Sequence, residues 1–129
     1  MTLKRIGYYK EMPHGEANDP SIRDIVNALD QIDEIDNICS YLDDGKPIVV
    51  CCGTSQDVIN PEKGIAGIPS VLTDGVWVWP GDLSYYVRNY HIGIDHDFLN
   101  HMRENNWSIS FNPDDIENEH VSVDGITLW

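Results

Sequence analysis

The sequence predicts an α+β protein with a mainly antiparallel sheet and about four helices packed on it. Two dipeptides, Asp74-Gly75 and Asp124-Gly125, each lie between apolar runs, which is the pattern of a β-hairpin. Four other stretches place apolar residues at helical spacing, beginning near Ile22, Ile35, Leu83 and Phe98. The chain has 129 residues, 41% of them hydrophobic, enough to bury a core as a single domain over 1–129 without staples.

Arg5 to Lys10 carries the apolar and aromatic residues of a first strand, and Glu11 to Asn18 reads as a loop around Met12, Pro13, His14 and Gly15. Asp19 then suits an N-cap with Pro20 at the first helical position, and Ile22, Ile25, Val26 and Leu29 form the buried stripe. A second helix starts at Asp33 with the stripe Ile35, Ile38, Cys39 and Leu42, and Gly45 supplies a left-handed stop. Glu34, Asp36, Asp43 and Asp44 fall off that stripe and face solvent. Pro47 to Cys52 is a continuous apolar run of the kind found in buried strands. Gly53 to Gly67 is broken by glycines and Pro61, and reads as an irregular loop or a pair of turns with a short strand.

The hairpin around Asp74-Gly75 predicts a type I′ turn, with Val76 and Val78 facing one way and Trp77 and Trp79 the other. Neither face is polar, so this strand belongs at the centre of the sheet, as structural core rather than a tryptophan-lined ligand site. Pro80 cannot donate to a ladder and suits the first turn of a helix. That helix buries Leu83, Tyr86, Val87 and Tyr90, has Asp82 in its first turn and ends at Gly93. Asp95 caps the next helix, with Ile94 placed to staple Leu99 and with Phe98, Leu99 and Met102 facing inward. Trp107, Ile109 and Phe111 alternate as a strand, Asn112 to Asp115 is a turn, and Val121 to Trp129 forms the closing hairpin.

Charge is the outlying property. Twenty-two acids against eight Lys and Arg give a formal −14, which repels nucleic acid and anionic membranes and attracts cationic partners. The three cysteines, Cys39, Cys51 and Cys52, are odd in number and two are adjacent, so they read as reduced, buried residues of a cytoplasmic protein. The N-terminal residues lack the apolar core of a secretory signal, and no uncharged apolar run is long enough to span a bilayer.

No constellation points to catalysis. Among the histidines, His14, His91, His96, His101 and His120, none has metal-site spacing, and His96 and His101 lie on different helix faces. Asp97 and His101 are four apart and read as a surface pair on one helix. There is no Gly-x-Ser-x-Gly, and Cys51-Cys52 lies in an apolar run that disfavours a thiolate. Gly53-Thr54-Ser55-Gln56-Asp57 lacks the spaced glycines and lysine of a phosphate loop. Asp114, Asp115, Glu117 and Glu119 lack calcium-loop spacing and read as a solvated acidic loop. No enzyme, metal or other cofactor is expected.

Thr73-Asp74-Gly75-Val76-Trp77-Val78-Trp79-Pro80-Gly81-Asp82-Leu83-Ser84-Tyr85-Tyr86-Val87 resembles a family of small bacterial proteins with a hairpin of the form Thr-Asp-Gly-x-Trp-Val-Trp-Pro-x-Asp-Leu-x-Tyr-Tyr-Val. The likeness extends weakly through Phe98 to Trp107 and back through the first helix, and leaves out the acidic tail after Asn112. The motif marks a core and carries no reaction. In size, charge and general type the chain is similar to immunity partners of polymorphic or contact-dependent toxins. That likeness implies a cytoplasmic protein that neutralises a cognate toxin domain, a basic nuclease type, by charge-complementary occlusion. The contact residues expected are Glu34, Asp36, Asp43, Asp44, Asp114, Asp115, Glu117 and Glu119. The rival readings are a small-ligand binder or enzyme using the 53–67 loop, and a general acidic module that mimics nucleic acid.

Overall fold

The computed structural model describes residues 2–12, 15–30, 32–50, 53–110, 122–123 and 126–127. The class is α+β, but the sheet is mixed, and among the described residues three α-helices are formed rather than four. The strands are β1 (Thr2–Arg5), β2 (Lys46–Val49), β3 (Ser55–Gln56), β4 (Ile65–Gly67), β5 (Val71–Thr73), β6 (Trp77–Pro80), β7 (Ser122–Val123) and β8 (Ile126–Thr127). The helices are α1 (Ile35–Asp43), α2 (Leu83–Tyr90) and α3 (His96–Glu104). The main sheet runs β2-β5-β6-β1-β7-β8, while β3 and β4 form a separate two-stranded ribbon. β1 is parallel to both β6 and β7, and the other pairs are antiparallel, so the expected mainly antiparallel sheet is corrected to a mixed one.

The hairpin of β5 and β6 lies inside the sheet, and every residue of β6 is buried. Trp77 and Trp79 enter the main core with Tyr41 and Phe98, while Val78 packs with Leu3 in a second cluster on the other face. The ring centroids of Trp77 and Trp79 stand 5.1 and 5.4 Å from that of Phe98, close enough for tilted aromatic packing. Trp79 Nε1 donates to the carbonyl of Leu42 at 3.0 Å, which ties the end of α1 to the central strand. The turn is displaced from the type I′ expectation. Gly75 (φ +96°) is left-handed but Asp74 is not, and the Asp74 carboxylate accepts from Val76 N and Trp77 N. Pro80 closes β6 opposite Val71 rather than opening the helix, because α2 starts only at Leu83.

The first of the four predicted helices, over 20–29, is replaced by a single 3-10 turn, Ile22–Ile25. Three competing interactions explain the loss. Asp19, expected as the cap, is drawn to Arg5, and Glu11 accepts from Ser21 Oγ and from Ile22 N. Asn27 turns left-handed (φ +59°), and the N–H groups of Asn27 and Leu29 donate to the carbonyls of Tyr90 and His91 at the end of α2. Ile22 and Leu29 are buried all the same.

Several boundaries also shift. The strand expected over Arg5 to Lys10 is not formed: β1 lies before it, at Thr2–Arg5, and Gly7 (φ +78°) turns the chain out of extended conformation beyond it. β2 is a half-exposed edge with a register shift between Pro47 and Val49, not a buried strand, and Val50 is 71% exposed. Cys51 and Cys52 lie outside the described residues, while Cys39 is buried as expected. Gly45 does not take a left-handed φ. A side chain there would stand 2.7 Å from Trp79 Cζ2 and 2.8 Å from Leu72 Cβ, so close packing explains it. His91 (φ +48°) ends α2, ahead of Gly93. α3 has the expected Asp95 cap, which accepts from Asp97 N and Phe98 N. It ends with Asn106 left-handed (φ +53°) and Trp107 N donating to Met102 O, a Schellman arrangement. Trp107 (φ +60°) is left-handed too, so no strand forms over 107–110. β7 and β8 pair as the closing hairpin expects.

Candidate functional site

The acids expected to meet a partner fall into three groups. Glu34 is engaged by Arg103, whose Nε donates to Oε2 at 3.1 Å and whose Nη2 donates to Oε1. That bond holds the Glu34 carboxyl below its usual range. Asp36 accepts from Arg88 at 2.9 Å, and Asp43 accepts from Ser84 Oγ at 2.5 Å. Asp44 follows α1 as its C-cap, with its side chain exposed. Asp114, Asp115, Glu117 and Glu119 lie outside the described residues.

The face of α1 is therefore the described part of the expected surface. Asp33, Asp36, Asn37, Ser40, Asp43 and Asp44 are all exposed, and their spacing winds them along one side of the helix and the turn before it. Asp33, Asp43 and Asp44 have no cation within ion-pair distance among the described residues. Much of the chain's positive charge is spent elsewhere. Arg5 pairs with Asp19, Lys4 lies over Trp77, and Lys63 lies over Tyr90. Ile38, Cys39, Tyr41 and Leu42 bury the opposite side, so the acidic side is presented on a fixed helix.

The 53–67 segment is more ordered than a loop and is built around Asp57. This fully buried carboxylate accepts from Ile59 N (2.8 Å) and Asn60 N (2.7 Å) on one oxygen. Its other oxygen accepts from Tyr85 Oη (2.7 Å) and Tyr90 Oη (2.5 Å). Burial pushes the Asp57 pKa up, but the bonds from Asn60, Tyr90, Tyr85 and Ile59 outweigh it and leave the group below the ordinary range. Tyr86 accepts from Val58 N and donates to Gln56 O, and Ser55 donates to the buried Asp82 at 2.7 Å. These bonds fasten the ribbon to α2.

A third constellation, not anticipated from the sequence, joins α1, the β5–β6 turn and α3. Asp74, besides holding its turn, accepts from Tyr41 Oη at 2.5 Å and faces His101 Nε2 at 3.0 Å. His101 thus pairs with Asp74 and not with Asp97 as its helix spacing suggests. Burial, the bond to Asp74 and the adjacent charge all push the Tyr41 hydroxyl pKa upward. A cleft of about 300 Å³ opens beside this cluster, lined also by Val76, Asn105, Ser108 and Ile109. Asp-Gly reads as a turn whether or not its carboxylate also reaches two helices, so only the fold reveals the cluster. A larger cavity of about 540 Å³ lies near Arg5, Tyr8, Ile25, Leu83 and Ile94, away from the named acids.

No family model, curated protein or solved structure matches the chain. Among the described residues no three His, Cys, Asp or Glu side chains are grouped to hold a metal ion. No helix among them is long and apolar enough to cross a membrane.

Proposed function

We propose that the protein is a cytoplasmic immunity protein that binds a cognate bacterial toxin domain and neutralises it by covering its basic, nuclease-type active surface. The observation that carries this reading is the exposed side of α1, where Asp33, Asp43 and Asp44 stand without cation partners among the described residues of a chain with net charge −14. Such a surface raises the encounter rate with a basic partner and rejects phosphate-bearing ones. The anchoring of α1 through Trp79 and Ser84 supports it further, because a rigid donor or acceptor array loses little entropy on binding. The partner's Arg and Lys side chains displace intramolecular pairs such as Arg88 with Asp36, an exposed bridge of small intrinsic worth.

The test is co-expression with the product of the adjacent gene, followed by calorimetry on the purified pair. A complex should form, and a variant carrying Asp33→Asn, Asp36→Asn, Asp43→Asn and Asp44→Asn should bind about ten-fold or more weakly. No complex, or equal affinity in the folded variant, contradicts the proposal. A small-ligand function is the second reading, favoured by the 540 Å³ cavity, whose volume is within the range of ligand pockets.

A further inference from the structure

The cavity near Arg5 and Tyr9 contains no residue of α1, and its lining defines a ligand class of its own. Four segments enclose it: the chain after β1, the approach to the 3-10 turn, the start of α2 and the approach to α3. Backbone bonds fix these walls. Ile6 N donates to Val78 O at 2.9 Å, Lys10 N to Pro20 O at 3.0 Å and Gly93 N to Ile25 O at 3.0 Å. Gly7 (φ +78°) lets the chain close against Leu83, whose Cδ2 would stand 2.5 Å from a side chain there. The volume of about 540 Å³ is therefore built into the fold, beside the segment that gives up the helix its local sequence favours. Departures of that kind gather at functional sites.

The charged groups of the lining are already engaged. Both oxygens of Asp19 accept from Arg5, and the Arg5 guanidinium also lies over the Tyr8 ring at 4.2 Å. Asp95 accepts from two amides of α3. An ionic ligand thus meets little uncompensated charge, and the net charge of −14 repels an anion besides. Ile6, Ile25, Leu83 and Ile94 make most of the remaining wall apolar. Tyr9 is the exception. It is 7% exposed, and its hydroxyl makes no hydrogen bond among the described residues. Burial alone pushes its pKa up to about 12. Its oxygen keeps some accessible surface, and Tyr9 borders the cavity. A donor so nearly buried and unpaired calls for a partner.

Resting on the small-ligand reading of this cavity, we infer that it receives a neutral, mainly apolar molecule with a carbonyl-type oxygen that accepts from the Tyr9 hydroxyl. The body of the ligand lies against the isoleucine and leucine walls, and the single polar contact sets its orientation, as in most pockets of this size. The site shares no residue with the acidic side of α1.

The probe is acetophenone, with toluene as the control that lacks the acceptor, and benzoate and benzylamine as charged controls. Each is titrated into the isotope-labelled full chain and followed by amide chemical shifts. Acetophenone should shift Gly7, Tyr9, Ile25 and Gly93 saturably and bind about ten-fold more tightly than toluene, the scale of one hydrogen bond to an otherwise unpaired donor. The charged compounds should bind more weakly than acetophenone. Tyr9→Phe keeps the ring and removes the hydroxyl, so it should lower acetophenone to the affinity of toluene and leave toluene unchanged. Ile94→Trp, at a half-buried position on the wall, should weaken both. Saturable shifts from neither neutral probe, or shifts untouched by Ile94→Trp, overturn the small-ligand reading and the inference together. Equal affinity for the two neutral probes, tighter binding of a charged one, or no effect of Tyr9→Phe overturns the inference alone. The variant with the four α1 asparagines should bind acetophenone as the parent does, so these outcomes are distinct from a failure of the acidic-face proposal.

Discussion

Asp57 shows how one carboxylate can fix a segment that composition alone describes as a loop. Its four donors come from two backbone amides of its own turn and two tyrosines of α2. Asp57→Ala leaves those donors unpaired in a buried site and should cost roughly 2–4 kcal/mol in urea unfolding, a typical scale for breaking a buried network. The pH dependence follows from the lowered pKa. The unfolded chain takes up this proton first, near the ordinary aspartate value of about 3.9, so the stabilisation is complete above that pH. It is lost as the pH falls through the folded value. Acid unfolding of Asp57→Asn should therefore depend less steeply on pH below about 4. At the alkaline end, burial and then the bond to Asp57 push Tyr85 up to about 12. Phenolate absorbance should show Tyr85 ionising well above an ordinary tyrosine. Its stabilising share, complete below about pH 10, is lost as the pH rises through the folded value.

At the scale of elements, what was legible in the sequence is what neighbours in the chain decide. The Asp95 cap, the helices at Ile35 and Leu83, the buried strand of tryptophans and the closing hairpin all rest on short-range pattern, and all are formed. The helix expected after Asp19 failed because its donors and its cap were claimed by residues distant in sequence, namely Arg5 and the end of α2. The orientation of β1 was likewise illegible, since nothing local says that a first strand will run parallel to a sixth. The candidate site divides the same way. The exposed side of α1 could be read from periodicity, whereas Asp74 with His101 is a tertiary meeting. Gly45 illustrates the difference between a turn residue and a packing residue. Gly45→Ala would crowd Trp79 and Leu72 and should lower stability by about 1–3 kcal/mol in thermal or urea unfolding, the range for overpacking. If Gly45 served as a left-handed stop instead, the loss would come with fraying of α1, visible in amide exchange, and no change at Trp79.

At the scale of the whole molecule, surplus negative charge sets two opposite salt dependences. The free protein repels itself, so added salt screens that repulsion and should raise its melting temperature. On the proposed function the same charge would assemble a complex with a basic partner, so salt should slow its formation. An acidic surface that only aids solubility would show the first effect without the second. The cavity near Arg5 takes no part in either, and its occupation by a small molecule would shift stability without altering the salt dependence of association.

The most direct measurement is the association rate constant of this protein with the co-purified product of the adjacent gene, recorded by stopped-flow across about 50 to 500 mM salt. A fall of about ten-fold or more, with a shallower slope for the four-asparagine variant of α1, is the predicted result. A rate that ignores salt and is unchanged in that variant would contradict the account.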